Sequence, residues 1–374
     1  MNKTKISNPV RLIAFFLTGV ILICTFGFTV DGWQNTDKQQ AQQDSDTNNE
    51  QGDKTETPVD KEHESENTPE EPEIYIPSYT NRLTGLECSE ELASKTPLAF
   101  IMDANTDCYG ISRAEIICEI PTENDESRLV AFISDIENLW KIGAIAPSRD
   151  YISNLPCFFG GITISVGNDD KINYDSCITN NTAIDLSLKS GYHYTEFSKF
   201  SYSNCDLINA AIEAAKVNDS DFPSTALPFS FLDFGSEPVM GTKTAKTASL
   251  SLNKDSFAEF IFNEDAMTYS INKNGKPMQD ALNGESAHFT NCFVLFADSV
   301  TYDNAECSQM VMDTVGSGVG YYLSYGTVTE IKWSATTGGV MTFYNESGEK
   351  LAVNRGNSYI YYMKSSKVDN VIFS

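Results

Sequence analysis

Basic residues are scarce in this chain: 26 Lys and Arg stand against 52 Asp and Glu, and histidine occurs three times in 374 residues. A net charge of −26 excludes the basic face that nucleic-acid binding needs to displace phosphate counterions. It also excludes adsorption to anionic lipid heads by charge alone. The body carries only two histidines, His193 and His288, without a suitable Cys or carboxylate spacing for a ligand set, so no zinc site is expected. No G-x-S-x-G, H-E-x-x-H, P-loop or C-x-x-C sequence occurs. Gly316–Gly320 lacks the G-x-G-x-x-G spacing and runs into a β pattern instead of a helix, which reads as a strand bend and not a dinucleotide loop. No cofactor and no metal are expected.

What is present begins with Leu12–Val30, uncharged and mostly apolar, preceded by Lys3, Lys5 and Arg11. About 19 helical residues at ~1.5 Å each approach the ~30 Å hydrocarbon core, and the positive flank keeps the amino end in the cytosol. Residues 1–33 are therefore expected to be a membrane anchor or signal segment, attached through residues 12–30 or through lipid at Cys24. A cleaved secretory signal is the competing reading. Residues 34–74 form an expected disordered acidic tether: Gln34–Glu73 carries 13 acidic and 3 basic residues, with His63 among glutamates. The total of −26, less −10 here and +2 before it, leaves −18 on Ile74–Ser374. Everything beyond the apolar segment is expected outside the cytoplasmic membrane, on its outer face.

About 300 residues remain, enough for two ordinary domains. The pattern predicts an α+β chain: a mixed α/β domain over 75–235, then a mainly antiparallel β domain over 240–374, a sandwich or open barrel. In the first, Ser148–Leu155 and Asp206–Lys216 read as helices and Phe158–Val166 as a strand. In the second, Ala248–Leu252, Phe257–Phe262, Met267–Ile271, His288–Ala297, Gly320–Ser324, Val328–Trp333, Val340–Tyr344 and Ser358–Met363 read as strands between polar turns. Asp221–Thr244, rich in Pro, Gly, Ser and Thr, is the predicted connection. Eight cysteines follow Cys24; Cys118 and Cys292 sit in apolar runs and read as buried thiols.

The most functional-looking stretch is Pro97–Tyr151. Apolar runs Leu98–Met102, Ala114–Ile120 and Leu129–Ile133 alternate with polar turns, and Asp103, Glu119, Arg128 and Arg149 lie in or beside them. Such runs predict strands of one sheet whose charged residues converge. Asp103-Asn105-Asp107 comes close to a calcium loop, but Cys108 and Ala114 stand where an EF-hand needs Gly and Glu; an Asx-rich turn fits better.

Several short motifs resemble the YerB family of bacterial lipoproteins, a two-part family without an established function. They are Asn81-Arg82-Leu83-Thr84-Gly85-Leu86, Pro97–Asp103, Gly110–Glu119, Ser127-Arg128-Leu129, Ile142-Gly143 leading to Arg149 and Tyr151, and Gly160-Gly161. Asp280, Asn291, Gly316–Trp333 and Gly348-Glu349-Lys350-Leu351 complete the set. The chain departs from the family where a first arginine before Tyr151 becomes Ala146 and a histidine before Gly160 becomes Phe158 or Phe159. A Pro-His-Asn segment keeps only Asn204. The resemblance implies that Asp103, Glu119, Arg128, Arg149 and Tyr151 form one ligand-binding or structural polar cluster. It adds Asp280 and Asn291 as polar candidates of the second domain.

The expected function is a membrane-tethered, extracytoplasmic binding or scaffolding module of the bacterial cell envelope, and catalysis is not expected of it. Its expected partners are the cytoplasmic membrane and a cell-wall polymer, a small anionic ligand or another envelope protein. The alternative is an envelope hydrolase or transferase using Asp103, Glu119 and Asp280. Substituting Arg128 by Met is expected to cost about 3–5 kcal/mol if its partner is buried.

Overall fold

The three apolar runs of the central stretch become β1 (Leu98–Asp103), β2 (Ile116–Pro121) and β3 (Ser127–Ile133) in the computed structural model of the chain. It describes residues 74–123, 126–167, 183–188, 191–197, 199–217, 227, 229–253, 256–303 and 308–374. β3 lies between the other two, antiparallel to both, pairing Asp103 with Arg128 and Ile120 with Arg128 across its two edges. The strands are buried along almost their whole length. That pattern requires packing on both faces of the sheet, which is why the runs read as continuously apolar instead of alternating.

β2 does not end the sheet. Its free edge takes Ser358–Lys364 in parallel, and that strand takes Asn291–Ala297 in parallel on its other side. Gly316–Ser324, Thr327–Ala335 and Lys243–Thr244 follow outward; beyond β1 lie Ile142–Ile145, Phe200–Ser203 and Tyr194–Glu196. Ile162–Ser165 also pairs with β1, in parallel. The sheet has 14 strands drawn from both halves of the chain. The expected division into domains 75–235 and 240–374 is therefore corrected: Glu70–Ser374 is one compact unit. The Pro/Gly-rich connection is not a free linker either, because Ser230–Phe231 pairs with Ala352–Val353 and Lys243–Thr244 with the strand Thr327–Ala335. The architecture is mainly β with largely antiparallel sheets, and the expected α/β character of the first half reduces to a few helices.

A second sheet, with Thr247–Asn253, Ser256–Asn263 and Thr268–Lys273 at its centre, covers one face of the first. Phe260, Tyr269 and Ile271 from it pack with Phe100, Leu129, Ile133 and Tyr359. The predicted strand His288–Ala297 is two: His288–Phe289 pairs in the small sheet and Asn291–Ala297 in the large one, so the chain changes layers at Thr290. The other face of the large sheet holds Ile101, Val130, Phe132, Phe293 and Trp333 under the helix Asp150–Phe159.

That helix runs past Pro156, where the sequence reading stopped it. Its end is set instead by Gly160, whose left-handed φ of 65° closes the last turn onto Cys157 O. Phe158 and Phe159 are thus buried helix residues and not the start of a strand. The helix Cys205–Ala215 matches its prediction to a residue or so, capped by Asn204 accepting from Leu207 N. Among the described residues no helix is long and apolar enough to cross a membrane. The segment Leu12–Val30, Cys24, the acidic tether, Cys177 and Cys307 lie outside those residues. The described cysteines Cys88, Cys108, Cys118, Cys157, Cys205 and Cys292 are free thiols, with Cys118 and Cys292 fully buried.

Candidate functional site

Side chains alternate between sheet faces with period two, so register decides which predicted site residues can meet. Asp103 and Arg128 face each other on the helix side, with Nη1 to Oδ2 3.7 Å apart. Arg149, just ahead of the helix Asp150–Phe159, reaches Glu123 in the β2–β3 turn through its Nη2. Tyr151 is buried between them and donates to Pro121 O at 3.0 Å. Burial raises its phenol pKa; Glu123 adds to the rise, while Arg149 and Arg128 oppose it. Four of the five predicted cluster residues, Asp103, Arg128, Arg149 and Tyr151, therefore come together, with Glu123 as a carboxylate that sequence reasoning missed.

The fifth does not join them. Glu119 opposes Leu129, one position out of phase with Arg128, and so points to the small-sheet side. There its carboxylate is 2% exposed and receives Lys273 Nζ at 2.6 Å. Ser127 Oγ donates to it at 2.6 Å, and the Tyr359 hydroxyl makes a second, short hydrogen bond. Lys273 also donates to Ser127 Oγ at 3.2 Å. The resulting Glu119–Lys273–Ser127–Tyr359 knot joins β2 and β3 to both the small sheet and the inserted strand Ser358–Lys364. Expecting Glu119 beside the arginines was wrong by one step of strand register.

Asp280 and Asn291 are structural in geometry. Asp280 is fully buried, and its oxygens accept from Gly110 N, Ser112 N, Ser112 Oγ and Leu282 N at 2.6–3.0 Å. It clamps the turn before β2, and no lone pair is left directed at a cavity. Asn291, also fully buried, donates to Asn354 O and accepts from Tyr322 OH at 2.7 Å. Asp103 Oδ1 accepts from Asn105 N, an Asx turn in place of a calcium loop. Lys141 is packed between the rings of Tyr109 and Tyr202, 4.0 and 4.1 Å from their centroids, and pairs with Glu196 at 2.8 Å. That aromatic cage is filled by the protein's own cation.

Chemically, these groups are committed. A general acid needs a carboxyl that keeps its proton, and a nucleophile needs an adjacent free base. Asp103 and Glu119 lie on opposite faces with separate cations, and Asp280 is saturated by donors. The site residues pair, clamp and align strands.

Such a fold and site define a mainly β protein with two sequence halves fused through one sheet. The chain belongs to the two-part family of proteins of unknown function termed DUF3048: its N-terminal domain model matches residues 83–217 and its C-terminal domain model residues 248–360. The crystal structure of the YerB protein from Bacillus subtilis is similar in fold, with a TM-score of 0.64 at 18% identity over 79% of this chain and 99% of that one. The chain is thus YerB-like. No curated protein matches it.

Proposed function

We propose that this is an extracytoplasmic, membrane-tethered binding protein of the bacterial cell envelope and not an enzyme. The observation that carries the non-catalytic reading is the pairing of every nominated carboxylate: Asp103 with Arg128, Glu119 with Lys273, Asp280 with four donors. A hydrolase built on those residues would need one of them released and its pKa raised. Tethering rests on the sequence alone, on Leu12–Val30 behind Lys3, Lys5 and Arg11 and the acidic stretch that follows. The strongly acidic body supports solubility beside the membrane and leaves attachment to the amino-terminal segment. Protease added to intact wall-free cells is expected to digest the body. Full protection of the body, with digestion only after lysis, would overturn the proposed location.

A further inference from the structure

The described chain begins at Ile74, and the apolar residues it lays down first are left uncovered. Ile74, Tyr75, Ile76, Tyr79 and Leu86 are between 41 and 72% exposed. Single exposed apolar residues are ordinary on a protein surface, but a group of them in one short stretch is not.

The stretch is a fixed platform and not a loose end. Pro77 within it is buried, and Leu83 is a fully buried plug beneath the same turn. Asn81 closes that turn, its Oδ1 accepting from Leu83 N and Thr84 N and its own N donating to Leu86 O at 2.8 Å. Thr80 and Glu87 form an antiparallel bridge, and Cys88 N donates to Tyr79 O at 3.2 Å. Tyr79 and Leu86 therefore stand on the two arms of one turn. Tyr75 OH donates to Glu87 Oε1 at 2.7 Å, beside Leu86. Ile74 is seated on Gly235, where a Cβ would lie 2.9 Å from Ile74 Cγ2. Leu83 packs in the core cluster of Phe132, Phe293 and Trp333, so the platform lies on the helix side of the large sheet.

The chain that leads to this surface argues what covers it. Leu12–Val30, the segment proposed above to hold the membrane, is separated from Ile74 by residues 31–73. A flexible tether of roughly 40 residues has a root-mean-square reach of about 35 Å. A body of about 300 residues is wider than that, about 50 Å across. The body is therefore kept against the bilayer, with the end that carries Ile74 nearest to it. Its local concentration there is high enough for a small apolar surface to engage. An acidic body does not oppose this contact, because insertion of apolar side chains needs no anionic headgroup. Isoleucine and leucine beside tyrosine is also the composition of a membrane–water interface, where the ring is buried and the hydroxyl stays wet.

We propose that this surface lies on the lipid bilayer: Ile74, Ile76 and Leu86 enter the boundary between headgroups and acyl chains, and Tyr75 and Tyr79 stand at its polar edge. The body is thereby held in one orientation. The proposal rests on the tether reading above and deepens it, since a body that merely hangs from a tether needs no such surface.

Quenching of tryptophan by lipids brominated high on their acyl chains tests it, with the full chain reconstituted into phosphatidylcholine vesicles. Trp33 closely follows Leu12–Val30, so its quenching in the native chain reports insertion of that segment. Two probes are then added singly: Ile76→Trp on the surface, and Ile372→Trp at an exposed position of the small sheet, on the other face of the molecule. Ile76→Trp is expected to add at least about twofold more quenching than Ile372→Trp, at low and high salt alike. Leu86 is exposed, so Leu86→Glu combined with Ile76→Trp should keep the melting temperature and remove most of the added quenching. Quenching no greater at Ile76→Trp than at Ile372→Trp, with Trp33 quenched, would overturn the surface and leave the tether standing. A chain that fails to float with the vesicles, Trp33 unquenched, would overturn both. A dimer in detergent that Leu86→Glu dissolves, without added quenching at Ile76→Trp, would assign the surface to a second copy and overturn the proposal.

Discussion

The two faces of the central sheet solve the same problem, a charged residue on an otherwise apolar strand, in opposite ways. On the helix side, Arg128 and Asp103 keep side chains 12% and 25% exposed and approach only to 3.7 Å. On the small-sheet side, Glu119 is sealed at 2% and pairs at 2.6 Å with a lysine from the other half of the chain. A pair that keeps contact with water gains little and loses little when broken. A sealed charge depends on its partner, because removing that partner leaves a desolvated carboxylate. The comparison separates a local ion pair from one that fastens two halves of the sequence together.

The largest expected effect follows from breaking the sealed side. Lys273→Met should destabilise the chain by about 3–5 kcal/mol in urea unfolding, toward the lower end because Ser127 and Tyr359 still donate to Glu119. Arg128→Met should cost about 1 kcal/mol or less in the same assay. This revises the sequence-based figure, since Asp103 stays in reach of water. Equal losses in the two variants would erase the distinction between the faces.

The smallest effect sharpens the comparison along β2 itself. Glu115, just ahead of the strand, is held by neutral donors, Ser134 N at 3.0 Å and Asn81 Nδ2 at 3.2 Å. Burial raises its pKa above the ordinary glutamate value of 4.5, with these hydrogen bonds working against the rise. A carboxyl with a raised folded pKa binds more protons in the native state than in the unfolded one. Its contribution to stability is therefore full below 4.5 and is lost as pH climbs through the raised folded value. Unfolding curves at several pH values should show that decline in the native chain, relative to Glu115→Gln. A difference between the two that does not change with pH would contradict it.

How much of this was legible in the sequence depends on the range of the interaction. The strands β1, β2 and β3 were readable because each is a short apolar run with local punctuation. Their order in the sheet was not, because Ser358–Lys364 inserts beside β2 from the far end of the chain. The Asp103–Arg128 pair was within reach, as both residues sit at strand ends in adjacent runs. Glu119 failed on parity: a single step of register moves a side chain to the other face, and register is fixed by partners that local pattern does not reveal. Tyr359, which bonds Glu119, is 240 residues away in sequence. Asp280 was nominated from resemblance, yet its work, holding Gly110 and Ser112, is visible only once both halves fold together. Pro156 misplaced the helix end because the left-handed Gly160 outweighs it as a terminator.

The central claim is that Glu119, sealed on the core strand β2, fastens the two sequence halves through its pair with Lys273. A double-mutant cycle on Glu119→Gln and Lys273→Met, measured by urea unfolding of the full chain, tests it most directly. The account predicts strong coupling, about 2 kcal/mol, with the double variant more stable than Lys273→Met alone because the sealed charge is gone. Additive losses within about 0.5 kcal/mol would contradict it.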